Sequence, residues 1–140
     1  MVRLQRKLYL RQARRQACRH EDITDLKSYP SIAAQLFSDW ILIKNDQKQF
    51  IHKKHKHISN DMNVTLNLVK AGAGIALLPM SMVHRELQNG VLKLVLPLWS
   101  GMPRDIYLLW PNKRVLSARA KRFRDELIVF LHTQKWFNAT

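Results

Sequence analysis

The sequence predicts an α/β fold, in which strands alternate with helices and right-handed crossovers join them into one sheet. Three observations carry this. Short bulky or β-branched runs recur along the chain: "DWILI" at 39–43, "IALLP" at 75–79, "VLKLVLP" at 91–97 and "DIYLLWP" at 105–111. Between them lie segments whose apolar residues repeat at helical spacing, with capping residues at their ends. Finally, 46% hydrophobic residues in a 140-residue chain suffice for a packed core of single-domain size.

The N-terminus is strongly basic. Residues 1–20 hold seven Arg or Lys (Arg3, Arg6, Lys7, Arg11, Arg14, Arg15, Arg19) and no acid, half of a formal net charge of +14. Such a run either binds phosphate backbones without sequence preference or dresses a solvated helix. With Tyr9 its one aromatic residue, the segment has little to stack bases on, which favours the helix. No apolar stretch approaches the ~20 residues that cross a bilayer, and none follows the basic start as a signal peptide requires. A cytoplasmic chain with no membrane partner is expected. The single cysteine, Cys18, excludes an intramolecular disulfide and fits a reducing compartment.

"TDLKSYPSI" (24–32) reads as a cap, a short helical turn and a proline-marked start of an extended segment. The strand 39–43 is followed by a turn at "KNDQ" (44–47). Beyond it, His52, His55 and His57 stand among lysines; their spacing matches no common ligand frame and the ammonium groups oppose a dication, so no metal is expected.

Residues 60–71 fit two periods. Met62, Val64, Leu66 and Leu68 alternate as in a half-buried strand, yet Met62/Leu66/Val69 and Val64/Leu68/Ala71 also form helical stripes. The ends decide for a helix, with Asn60 or Asp61 at the N-cap and Lys70 followed by Gly72 at the stop. Gly72-Ala73-Gly74 therefore follows a helix and precedes a strand. A phosphate-binding glycine loop needs the reverse order, so these glycines turn the chain rather than hold an anion.

"SMVHRELQNG" (81–90) predicts a short helix with Val83 and Leu87 on one face, stopped at Asn89-Gly90. "WSGMPR" (99–104) reads as a breaker-rich loop before the strand 105–111, which Pro111 ends. Ser117 caps a long helix whose Phe123, Leu127, Phe130 and Leu131 form its apolar stripe, while Arg119, Lys121, Arg122 and Arg124 make a solvated face. A helix-turn-helix across 65–87 is excluded, since Gly74 and Pro79 would interrupt its second helix. No paired carboxylates, nucleophile-base set or metal frame stands out, which argues against an enzyme and against a cofactor.

Asn60-Asp61, Gly72-Ala73-Gly74-Ile75 with Leu78-Pro79, Leu87 with Gly90 and Leu92, the "IYLLWP" strand and "LSARAKRFRDEL" occur in an order and spacing that resembles the C-terminal part of the effector-binding domain of LysR-type transcriptional regulators. The resemblance runs from Asp25-Leu26 to the last helix. It implies an incomplete type II periplasmic-binding-protein-like effector domain, in which two α/β lobes are joined by two crossover strands around a small-molecule cleft. On that basis 1–24 is a basic, divergent N-terminal segment, 25–103 the second lobe, and 104–140 the returning strand and long C-terminal helix of the first lobe. Arg6-Lys7-Leu8 is a remnant of the family pattern; the apolar stretch that follows it in members is absent.

The resemblance implies a truncated regulator that lacks the winged helix-turn-helix. It would sense a small-molecule effector, reaching DNA only through that absent module or non-specifically through the basic N-terminus. Ser59 and Asn60, where a strand delivers a helix N-terminus to the cleft, are the expected effector contacts, with Pro79 a third; Asp61 is expected to cap the helix. Amides and hydroxyls there favour an anionic group such as a carboxylate. Elements shaped for a missing lobe should leave apolar surface exposed, so marginal stability and homo-oligomers are expected.

Overall fold

The computed structural model describes residues 2–11, 23–35, 38–109, 116–134 and 136–137. Among them the strands are β1 (Val2–Arg11), β2 (Ser31–Ala34), β3 (Trp40–Lys44), β4 (Gln47–Ile51), β5 (His57–Ser59), β6 (Ile75–Pro79), β7 (Leu92–Val95) and β8 (Ser100–Ile106). The helices are α1 (Met62–Lys70), α2 (Met80–Gln88) and α3 (Ala118–Thr133), with a 3-10 turn at Ile23–Ser28. The strands form one mixed sheet in the order β4-β3-β8-β1-β6-β2-β5, with β7 also paired to β1.

Strand β6 shows why the α/β expectation holds. All five of its residues are buried: Ile75 and Leu77 join Leu26, Trp40, Leu42 and Ile51 on one side, while Ala76 and Leu78 join Ile32, Leu66, Val69 and Val83 on the other. A strand covered on both faces needs an uninterrupted apolar run, which "IALLP" supplies. β2 runs parallel to both β6 and β5, and α1 and α2 pack beside them.

The caps decide the helix at 62–70 as expected. Asp61 Oδ1 accepts from Asn63 N at 2.7 Å. At the other end Gly72, at φ 84°, donates its N–H to Val69 O, and Ala73 N donates to Leu68 O, the paired bonds of a Schellman stop. α2 ends the same way at Gly90. The β3–β4 hairpin turns on Asn45 and Asp46, both at positive φ, as a two-residue loop demands.

Three expectations are corrected. Residues 2–11 of the basic N-terminus are a strand, not a solvated helix: β1 pairs β6 through Arg6–Leu10, β7 through Leu8–Arg11 and β8 through Val2–Arg6. Val2, Leu4, Leu8 and Leu10 alternate along it, a period that the charge run masked. The rest of that run, with Cys18, lies outside the described residues. The "WSGMPR" loop is instead largely strand, because Ser100 and Gly101 pair with Ile43 and Leu42 of β3 while β8 also pairs β1. Its register to β1 shifts between Leu4 and Arg6; Pro103 falls at this irregularity, where a missing N–H is tolerated. Conversely, the strand expected at 105–111 ends at Ile106, where the β1 ladder finishes opposite Val2. Leu108 and Leu109 are exposed without strand structure, and Pro111 lies outside the described residues.

Ser117 caps α3, its Oγ accepting from Ala120 N at 3.3 Å. No residue of α3 is buried. Leu127 and Leu131 of the expected stripe are half-buried, whereas Phe123 and Phe130 are exposed. Among the described residues the exposed apolar surface expected of the C-terminal part is present.

Candidate functional site

Because β5, β2 and β6 are parallel, their carboxyl ends share one edge of the sheet. Ser59 stands opposite Ala34, and Ser31 and Ile32 stand opposite Ile75 and Ala76, so Ser59 and Pro79 finish within about one residue of the same level. One strand separates them, a gap of about 10 Å at the usual inter-strand spacing. From these ends α1 and α2 start.

The Ser59 hydroxyl is already engaged. It donates to Asp61 O and accepts from Asp61 N, both at 3.1 Å. It thereby fixes the turn that aims α1. Thr65, fully buried, donates its Oγ1 to the same Asp61 carbonyl at 3.2 Å. Asn60 is exposed at the tip of this turn, with no side-chain hydrogen bond among the described residues. Pro79 is buried and is the N-cap of α2, and it provides no side-chain cap. Its part is to stiffen the start of that helix.

The geometry brings together two helix N-termini, each carrying partial positive charge, with one free carboxamide between strand and helix. This suits an anionic oxygen ligand. The α2 terminus was not read from the sequence as part of this edge; its signal is that both "HISN" and "IALLP" end where a helix begins.

The histidine segment turns out to be partly structural. His55 Nε2 faces Ser38 O at 2.7 Å, a carbonyl, so this nitrogen donates; Nδ1 then accepts from the buried Ser31 Oγ at 2.9 Å. Its ring rests on Trp40 at 4.9 Å. Lys53 donates to both Leu26 O and Tyr29 O, and burial lowers its ammonium below the usual value. Among the described residues no group of three or more His, Cys, Asp or Glu is placed to hold a metal ion. No described helix is long and apolar enough to cross a membrane.

Parallel strands that launch two helices from one carboxyl edge define an α/β module of the kind that holds small ligands beyond strand ends. The chain belongs to the LysR substrate binding domain family, whose model matches residues 7–129 and so begins inside β1, ahead of Asp25. The regulatory domain of AphB from Vibrio vulnificus is similar at 25% identity with a TM-score of 0.80, over 91% of this chain and 66% of that one. The effector domain of AmpR from Pseudomonas aeruginosa, at 13% identity and a TM-score of 0.68, shares the fold over 92% of this chain and 62% of its own. Among curated relatives, the HTH-type transcriptional regulator PtxR of Pseudomonas aeruginosa is 28% identical over 63% of this chain, which spans 28% of PtxR's length. The protein YqfE of Escherichia coli is 41% identical over 39% of this chain and 71% of YqfE.

Proposed function

We propose that this chain is the effector-sensing part of a LysR-type transcriptional regulator, taking a small carboxylate between the N-termini of α1 and α2. The convergence of those termini on one sheet edge, with Asn60 between strand and helix, is the observation that supports it. The carboxylate accepts hydrogen bonds from first-turn amides and from the Asn60 carboxamide, while Ser59 and Pro79 hold the two helix starts in place. Nothing is transformed: the ligand biases one arrangement of the domain over another, and the reading is of a cytoplasmic sensor rather than an enzyme.

In this reading 25–103 is the second lobe and 104–140 returns to the first. The antiparallel ladder of β1 with β8 is the join between lobes. DNA is reached through a winged helix-turn-helix outside these 140 residues, and the exposed apolar residues of α3 support a homo-oligomer.

A thermal-shift screen of small mono- and dicarboxylates, each paired with its amide, tests the site. A ligand at a hundred times its Kd stabilises by about 2.7 kcal/mol, which raises the Tm by roughly 5–10 °C for a chain of this size. Asn60→Ala should abolish most of that rise without lowering the unliganded Tm. If amides act as well as acids, or if Asn60→Ala responds like the native chain, the reading fails.

A further inference from the structure

β4 ends at Ile51, and from Lys48 through the stretch that follows it to Lys56 the side chains divide by parity. Lys48, Phe50, His52, Lys54 and Lys56 are exposed. The intervening residues from 51 onward turn inward and are fastened. Ile51 is in the core, Lys53 donates to the Leu26 and Tyr29 carbonyls, and His55 bridges Ser31 and Ser38. The outward row is therefore held on a backing of fastened residues, and within β4 its members stand about 6.6 Å apart at the rise of a strand.

Two members of that row are flat rings. The Phe50 and His52 centroids are 6.5 Å apart with planes 14° from parallel, and Phe50 is 59% exposed. Two base-stacking steps of about 3.4 Å span nearly the same distance. Two nearly parallel rings at this centroid spacing offer flat faces on which one planar base can stack. Cations flank it along the row, Lys48 before and Lys54 and Lys56 after, and across residues 44–57 Asp46 is the one carboxylate against five lysines.

We propose that this ribbon binds single-stranded nucleic acid, one base seated between Phe50 and His52 and the neighbouring phosphates on Lys48, Lys54 and Lys56. A duplex keeps its bases stacked on one another and offers none to the rings; a base-free polyanion meets only the lysines. The ribbon's residues differ from those of the proposed carboxylate edge, Ser59 and Asn60, and from the basic residues 1–20 in sequence.

The test is fluorescence anisotropy of the full chain with a labelled oligothymidylate, the matching abasic strand, a duplex and inorganic polyphosphate, each over a salt series. The native chain should prefer the oligothymidylate. Phe50→Ala should weaken that binding by about 5- to 100-fold, the usual loss of one stacked base, and leave polyphosphate binding unchanged; Phe50→Trp should restore it. Lys54→Gln with Lys56→Gln should flatten the salt dependence by about 0.7 in log-log slope for each phosphate no longer neutralised. Since the basic N-terminus is present in every variant, these differences isolate the ribbon. His52→Ala reports the ring pair independently should Phe50→Ala melt early. The proposal is overturned if abasic strand or duplex binds as tightly as oligothymidylate, if an acidic peptide displaces it at equal charge, or if neither ring variant weakens binding.

Discussion

Replacing Gly74 with alanine should cost this fold more than the same change at Gly90, the described glycine tested beside it. Gly74 has φ +152°, and a Cβ there would lie 2.3 Å from Pro30 O and 2.8 Å from Pro30 C. That carbonyl cannot retreat freely, because it accepts from Ile75 N at 3.0 Å and leads straight into the Ser31–Ile75 pairing of β2 with β6. Gly90 is the comparison: its φ of +68° lies in the left-handed region that L residues enter at modest cost, and a Cβ there meets nothing within 4 Å. Entering the left-handed region costs Gly90→Ala about 1–2 kcal/mol, and Gly74→Ala, whose φ lies outside the regions L residues favour, costs no less. Only Gly74→Ala adds overpacking, about 1–3 kcal/mol. With a urea m-value of about 2 kcal/mol/M, its midpoint should fall about 0.5–1.5 M further than that of Gly90→Ala, followed by circular dichroism. Equal midpoints for the two variants would refute the claim that the backbone at 74, in its φ and its close approach to Pro30, demands glycine more than the turn at 90 does.

Asp61→Ala should destabilise by about 1 kcal/mol in the same assay through loss of the Asn63 N–H cap, while Asp61→Asn stays near native; the Ser59 and Thr65 bonds go to Asp61's backbone and survive both. Lys53 has its ammonium lowered from 10.5 by burial, so the native state loses that proton first. Between the lowered value and 10.5 the unfolded chain holds more protons, and stability from this group rises with pH across that window. Lys53→Met should lack this rise, read as the difference in urea midpoint between variant and native chain along a pH series. Phe123→Glu combined with Phe130→Glu should shift sedimentation velocity profiles toward monomer, since both rings are exposed on α3; an unchanged distribution would place self-association elsewhere.

Local chemistry made much of this molecule legible. Asp61 and Gly72 bound α1, Asn45-Asp46 makes the hairpin and Ser117 opens α3, each acting within a few residues of itself. Ser59 and Asn60 were legible as a helix start for the same reason. Where the deciding partner is distant, the sequence was silent. Gly101 and Pro103 look like breakers until β1 and β3 are placed on either side of β8. The basic stretch at 2–11 looks solvated until three strands claim its backbone. His55 and Lys53 carry no local sign that they are fastened to Ser31, Ser38 and the turn at 23–28.

The position of β1 bears on how the chain reaches this state. Its ten residues precede by a long stretch of chain the strands they pair with, which begin at Ile75, Leu92 and Ser100. During synthesis the segment spanning β2 to α2 has its own parallel trio and helices to close upon, whereas β1 must wait, unpaired, until β6, β7 and β8 have followed it. Closure of the longest loops comes last, and anything that captures the waiting strand competes directly with completion of the sheet.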